Sequence, residues 1–249
     1  MNNFSEKIID YKQYIVDSKL RYFKPHATKI EKSFAEEISY SLNQNSKFIN
    51  PKFFYDRKGS DLFESITSLP EYYPTRTEIS ILKKLKQDLP SYLDENMNLV
   101  ELGSGASVKT RLILDIFTKL QVKTEYFPID ISEILTESSE QLLKDYDTLH
   151  ITGIIDTYEG GLEFLKTYDN KKNLILFLGS SFGNFTPDDG KLFLEKIFST
   201  MNSDDLFLIG LDLVKDKNIL ESAYDDSQGV TAKFNLNVLS RINDELDAD

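Results

Sequence analysis

The residues best placed to do chemistry stand directly after short apolar runs. Residues 99–102 lead into Gly103-Ser104-Gly105, and a helical pattern follows in which Leu112, Ile113, Ile116, Phe117 and Leu120 share one face. A strand, a glycine turn and a helix N-terminus together present bare backbone N–H groups at the strand's carboxyl end. Gly103 and Gly105 keep that approach open, because a Cβ there would hold a ligand off the backbone. The turn reads Glu-Leu-Gly-Ser-Gly and falls short of the G-x-G-x-x-G dinucleotide fingerprint. The acid ahead of the first glycine points instead to S-adenosylmethionine (AdoMet), whose ammonium and ribose need acceptors rather than a pyrophosphate cradle.

Other apolar runs end in polar residues of the same kind. Asp130 lies 27 positions after Gly103, where a carboxylate can grip both hydroxyls of a ribose. Asp156, followed by Thr157 and Tyr158, is suitably placed for the adenine amino group. Asn184 and Asp212 follow two further runs. Any one acid could be a helix cap or a solvated loop residue; the set beside a glycine turn points to a nucleoside-type site. The runs that position these residues are 99–102, 125–129, 150–155, 174–178 and 206–211, with helical patterns between them. Strands alternating with helices imply βαβ units, and continuous apolar runs imply a sheet covered on both faces. The fold class expected is α/β, a Rossmann-like, doubly wound sheet. Residues 1–97 read as mostly helical with a Pro- and aromatic-rich centre, and 217–249 as helical and polar.

Composition narrows the function classes. With 249 residues, 40% hydrophobic, the chain can bury the core of one α/β domain and carry a smaller appendage. Twenty-nine basic against 41 acidic residues give a formal charge of −12, which argues against nucleic acid or an anionic membrane as partner. There is no cysteine, and only His26 and His150, so no thiolate site and no histidine-built metal site is expected. Both histidines read as surface or packing residues. The first twenty residues lack a signal-peptide core, and the longest strongly apolar run is too short to span a bilayer. A soluble, cytoplasmic protein is expected.

Longer motifs carry a resemblance. They are Phe53-Phe54-Tyr55-Asp56-Arg57-Lys58-Gly59-Ser60-Asp61-Leu62-Phe63, Leu69-Pro70-Glu71-Tyr72-Tyr73-Pro74-Thr75-Arg76, the turn at 101–110 and the segment 178–187. To these add 211–216, Ala223-Tyr224-Asp225-Asp226 and Phe234-Asn235-Leu236-Asn237-Val238-Leu239. Through them the chain resembles, over roughly residues 40–249, the AdoMet-dependent L-histidine Nα-methyltransferases of ergothioneine biosynthesis. The resemblance implies a class I methyltransferase fold with a smaller, incomplete substrate domain. Its parts would be a helical region at 1–75 contributing to the substrate pocket, an AdoMet-binding domain at 76–216, and the start of a second substrate-binding domain at 217–249. It also implies that Gly103, Lys109, Asp130, Asp156 and Thr157 bind AdoMet, with Tyr158 an alternative to Thr157 because the spacing shifts there. Tyr72, Asn184 and Tyr224 would hold the amino acid, and Tyr55 lies in the same pocket; Tyr55 and Tyr72 are the catalytic candidates. No metal is implied.

The implied reaction is in-line methyl transfer to a neutral α-amine, repeated to give Nα,Nα,Nα-trimethylhistidine (hercynine). No histidine or evident acidic base is in the matched set, so tyrosine hydroxyls or water would take up the proton. Against these roles stand plainer ones. Asn184 could cap the helix that starts near Pro187, Tyr224 could be core packing, Tyr73 reads as packing, and Asp225 and Asp226 read as solvated or capping residues. The family pattern runs on past Asp249, where a Glu and a Ser contact the imidazole, and where final strands would cover the apolar edge formed by 206–211. Expected partners are therefore L-histidine and a complementing chain, with a monomer otherwise. The alternatives are a methyltransferase for another small amine or amino acid, and an inactive AdoMet-binding fragment or subunit that needs a complementing C-terminal part.

Overall fold

The computed structural model describes residues 11–26, 33–105, 108–132 and 134–248. Among them are seven strands: β1 (Tyr11–Ile15), β2 (Leu20–Pro25), β3 (Asn98–Leu102), β4 (Thr124–Asp130), β5 (Leu149–Ile155), β6 (Asn173–Phe177) and β7 (Leu206–Ile209). The helices are α1 (Phe34–Leu42), α2 (Arg57–Thr67), α3 (Tyr73–Leu85), α4 (Val108–Leu120), α5 (Ile134–Asp145), α6 (Tyr158–Tyr168), α7 (Pro187–Thr200), α8 (Lys217–Tyr224) and α9 (Val230–Leu246).

The strands form one sheet in the order β1-β2-β5-β4-β3-β6-β7, parallel from β2 to β7. All five expected strands are present within two residues of the predicted ends. Every residue of β3 and β6 is buried, as a parallel sheet covered on both faces requires. From β3 the chain winds outward through α4, β4, α5 and β5, then returns through α6 to pair β6 on the other side of β3. That reversal makes the carboxyl end of β3 a topological switch point, where sheets of this kind bind ligands. The fold is the Rossmann-like, doubly wound one expected from the sequence.

The amino-terminal segment is helical from α1 to α3, as expected, but residues 11–25 depart from that expectation. Residues 11–25 form an antiparallel hairpin whose second strand pairs in parallel with β5, from Leu20↔Ile151 to Phe23↔Ile154. Asp17 shapes its tip by accepting the N–H groups of Lys19 and Leu20 at 2.7 and 2.9 Å. The helical expectation for 1–10 and 27–32 lies outside the described residues, as does the Ala106-Ser107 step of the glycine turn.

The described chain divides into two compact units. The first holds the sheet with α4 to α7; the second comprises α1, α2, α3, α8 and α9 together with Gly179–Asn184, which follows β6 in the chain. Within the second unit α9 is the shared element. Phe234 joins Ile66, Leu69, Tyr72 and Ala223 in one buried cluster, while Val238 and Ile242 join Ile38 in another. No helix among the described residues is long and apolar enough to cross a membrane.

Candidate functional site

In the first unit the polar residues gather where β3, β4 and β5 end. Gly103 and Gly105 adopt φ of 75° and 46°, left-handed values that a side chain would strain. Asp130 closes β4. Its carboxylate accepts the Ser132 N–H at 2.9 Å and the N–H of Gly105, while burial pushes its pKa above the usual carboxylate range. The Asp156 N–H donates to the Asp130 carbonyl at 3.1 Å, which sets the two acids side by side, Asp156 one residue beyond the Asp130↔Ile155 pair. Asp156 itself accepts the Thr157 N–H at 2.7 Å and the Tyr11 hydroxyl from the hairpin.

The structure divides the Thr157–Tyr158 pair by task. Thr157 is the N-cap of α6, its Oγ1 accepting the Gly160 N–H at 3.2 Å. The Tyr158 hydroxyl stands over the glycine turn, 2.8 Å from where a Cβ on Gly103 would be, with its ring edge-on to Phe177 and Phe193. The acid of the turn is corrected. Glu101 is only 3% exposed and points inward, its Oε2 accepting Thr110 Oγ1 at 2.7 Å and Tyr126 Oη at 2.6 Å. It is not presented as an acceptor; Asp130 is. Lys109, in the first turn of α4, lies close enough to Glu101 for its charge to favour the carboxylate. The surroundings fit AdoMet: a Cβ on Gly105 would meet nothing within 4 Å, and acidic acceptors end the two strands beyond the turn.

In the second unit the aromatic side chains meet. Tyr72 is 6% exposed and Tyr224 54%, and their rings lie 5.8 Å apart at 86°. Tyr55 packs edge-on to Phe63 at 5.4 Å and to Phe234 at 5.5 Å. Burial pushes Tyr55 up to about 12 and Tyr72 higher still, so both phenols are protonated at neutral pH. Tyr224, at the exposed end of α8, is therefore not core packing.

The long motifs hold these tyrosines. Arg76 donates to the carbonyls of Leu69, Pro70 and Tyr72 at 2.7, 2.6 and 3.1 Å, folding the loop that carries Tyr72. Glu71 accepts Ser227 Oγ at 2.7 Å, tying that loop to the segment after Tyr224. Asp56 caps α2 by accepting the Gly59 N–H at 2.6 Å and also accepts Asn237 Nδ2 at 2.8 Å. A Cβ on Gly59 would lie 1.8 Å from the Phe54 carbonyl oxygen, so the turn that presents Tyr55 admits only glycine there.

Asn184 ends a short 3-10 turn, Ser181–Asn184, and is exposed. It does not cap α7: Thr186 does, accepting the Asp189 N–H at 3.2 Å. Its loop is pinned where it begins, at Gly179 and Ser180. Glu78 accepts the Gly179 N–H at 2.9 and 3.0 Å, and Ser180, left-handed at φ 58°, accepts the Asp212 N–H on Oγ at 2.9 Å. Tyr73 is more than packing, since its hydroxyl donates to Asp212 while Lys215 pairs with Asp212 at 2.5 Å and lies over the Tyr73 ring. Asp226 is a capping residue, taking the N–H groups of Val230 and Thr231 at 3.0 and 2.7 Å. His150 opens β5, at the amino end of the sheet and away from the strand ends that carry the acids. Arg76 and Glu78 escaped the sequence reading, and Asp212 stood there only as a polar strand end. Arg76 sits inside a quoted motif, but nothing in the sequence pairs Glu78 with Gly179 or Asp212 with Tyr73.

Among the described residues, no group of three or more His, Asp or Glu could hold a metal ion. Residues 34–249 match the family described as histidine-specific, SAM-dependent methyltransferase. The histidine N-alpha-methyltransferase of Mycolicibacterium smegmatis is 39% identical over 224 residues, covering 90% of this chain and 69% of that protein. That of Mycobacterium tuberculosis is 40% identical over 214 residues, covering 86% of this chain and 66% of that protein. Ergothioneine biosynthesis protein 1 of Neurospora crassa is 35% identical over 192 residues, 76% of this chain and 22% of that protein. The chain thus spans about two thirds of the length of the two mycobacterial relatives. A match running from α1 through α9, together with identities near 40% over most of the chain, places it in the SAM-dependent, histidine-specific methyltransferase family.

Proposed function

We propose that this chain transfers methyl groups from AdoMet to the α-amino group of L-histidine, giving Nα,Nα,Nα-trimethylhistidine (hercynine) in ergothioneine biosynthesis, in the cytoplasm. Family membership over residues 34–249 carries the reading. Gly103, Lys109, Asp130, Asp156 and the Thr157-Tyr158 pair hold AdoMet, with Asp130 accepting from the ribose hydroxyls. Tyr72, Asn184 and Tyr224 hold the amino acid, beside Tyr55. Bound there, AdoMet supplies an electrophilic methyl on its sulfonium.

The protein's part is then alignment and the exclusion of water. An ammonium cannot attack, so the α-amine must be neutral. Tyr55 and Tyr72 do not take its proton, because burial keeps both phenols protonated. Water takes the proton, and the phenol oxygens accept the remaining amine N–H groups and orient the lone pair. The aromatic faces of Tyr72 and Tyr224 suit the cation that grows with each methyl group.

The test is mass spectrometry of AdoMet incubated with the protein and an equimolar amino-acid mixture. Three methyl groups on histidine alone support the reading. Methylation of another amino acid, or no product while AdoMet binds in a control titration, overturns it. Two variants check the two sets of residues. Asp130→Asn removes a charge-assisted acceptor worth roughly 1.5–3 kcal/mol, so the Kd for AdoMet rises about 10- to 100-fold by calorimetry. Arg76→Lys replaces a planar fork that reaches three carbonyls with a point charge that cannot span them. With Tyr72 released, KM for histidine rises about 10-fold and the Kd for AdoMet does not change, as loss of about 1.4 kcal/mol confined to substrate binding requires.

A further inference from the structure

The β1–β2 hairpin lies ahead of residue 34, where the family match begins. Its first residue reaches a carboxylate at the ligand-binding end of the sheet. The Tyr11 hydroxyl donates to Asp156 Oδ2 across 145 positions of sequence. The other carboxylate oxygen, Oδ1, takes the Thr157 N–H at 2.7 Å. On its remaining side the carboxylate lies against Gly160, where a Cβ would come within 2.2 Å of Oδ2. The Asp156 side chain is thereby fixed in one orientation.

Tyr11 is itself held rigidly. Its ring packs on Phe164 of α6 at 4.5 Å, and Phe164 packs on Phe23 of β2 at 4.7 Å and stacks on Tyr168 at 5.2 Å. Register pairing of β2 with β5 fixes the hairpin to the strand that Asp156 follows. A carboxylate has about four lone-pair sites, so two accepted bonds leave acceptor capacity for a ligand donor.

We propose that Tyr11 is a positioning residue for the cofactor: its hydroxyl holds the Asp156 carboxylate in the orientation that accepts a hydrogen bond from the 6-amino group of AdoMet's adenine. The inference rests on the reading that Asp156 faces AdoMet. Tyr11→Phe keeps the ring against Phe164 and removes only the hydroxyl. The free carboxylate then samples other rotamers, and binding carries the cost of reordering it.

The experiment is a calorimetric titration of Tyr11→Phe, Asp156→Asn and the double variant with S-adenosylhomocysteine and with its analogue bearing hydrogen in place of the 6-amino group. The Kd for S-adenosylhomocysteine is expected to rise about 3- to 10-fold in Tyr11→Phe, with little change for the deamino analogue, so discrimination between the two falls. In the Asp156→Asn background Tyr11→Phe should add nothing, because the two residues act as one unit. Steady-state kinetics should give a raised KM for AdoMet with kcat at saturation and KM for histidine held. Equal weakening of both ligands, or an undiminished Tyr11→Phe effect in the Asp156→Asn background, marks a merely structural tyrosine and overturns the proposal. If Asp156→Asn alone binds S-adenosylhomocysteine as the parent does, the Asp156 reading fails and the proposal fails with it. If Asp156→Asn weakens binding and Tyr11→Phe does not, the proposal alone fails.

Discussion

Asn184→Ala is expected to raise KM for L-histidine by 100-fold or more while the Kd for AdoMet stays within about 2-fold. The asparagine amide can donate to a carboxylate and accept from an amine at once, which suits the zwitterionic end of an amino acid. Two hydrogen bonds to charged groups are together worth roughly 3–6 kcal/mol, or about 10²- to 10⁴-fold in affinity. The rival task, capping α7, is already filled by Thr186, so the alanine variant leaves the helix start intact. The loop also keeps its shape, because Glu78 and Asp212 hold it through Gly179 and Ser180 rather than through Asn184. Separate titrations with histidine and with AdoMet decide the matter. Equal loss of both affinities would remove Asn184 from the amino-acid pocket. Asn184→Asp is a sharper second variant: it keeps the shape but cannot donate, and it sets a negative charge against the substrate carboxylate.

The same loop illustrates how far sequence can be read. The five parallel strands were legible because a doubly covered sheet turns each strand into an uninterrupted apolar run, as in Leu174-Ile175-Leu176-Phe177, all buried. The hairpin was not legible, since β1 exposes four of its five residues and β2 interleaves Arg21 and Lys24 with its apolar positions. Only pairing with β5, more than a hundred residues away, makes β2 a strand. The same distance hid the polar contacts. Asn184, Tyr72 and Tyr224 stood out through the motifs around them, but the bonds from Glu78 to Gly179, from Tyr73 to Asp212 and from Tyr11 to Asp156 join residues with no shared pattern. Glu101 misled for a different reason. An acid beside a glycine turn reads as a ligand acceptor, yet Thr110 and Tyr126 supply donors that let it turn inward.

That inward turn predicts a pH-dependent stability. Burial pushes the Glu101 carboxyl up to about 7; Tyr126, Thr110 and the Lys109 charge pull it down, and Asp130 adds to the rise. Both hydroxyl donors use Oε2. The folded state therefore holds a proton through a pH range in which the unfolded chain, titrating near 4.5, has released it. A raised folded-state pKa means stability that is complete below about 4.5 and is lost as pH rises through about 7. The gap of about 2.5 units (about 7 minus 4.5) corresponds to roughly 3 kcal/mol. Glutamine copies the protonated acid, with its carbonyl oxygen placed to accept both hydroxyls. Glu101→Gln is accordingly expected to unfold like the parent at pH 5 and to be more stable by up to about 3 kcal/mol at pH 8.5. Denaturant melts of both proteins at pH 5, 7 and 8.5 check this, and the difference between them removes the contributions of His150 and the other titrating groups. Parallel curves across that range would mean that Glu101 is ionised throughout, and that Lys109 with the two hydroxyls outweighs its burial.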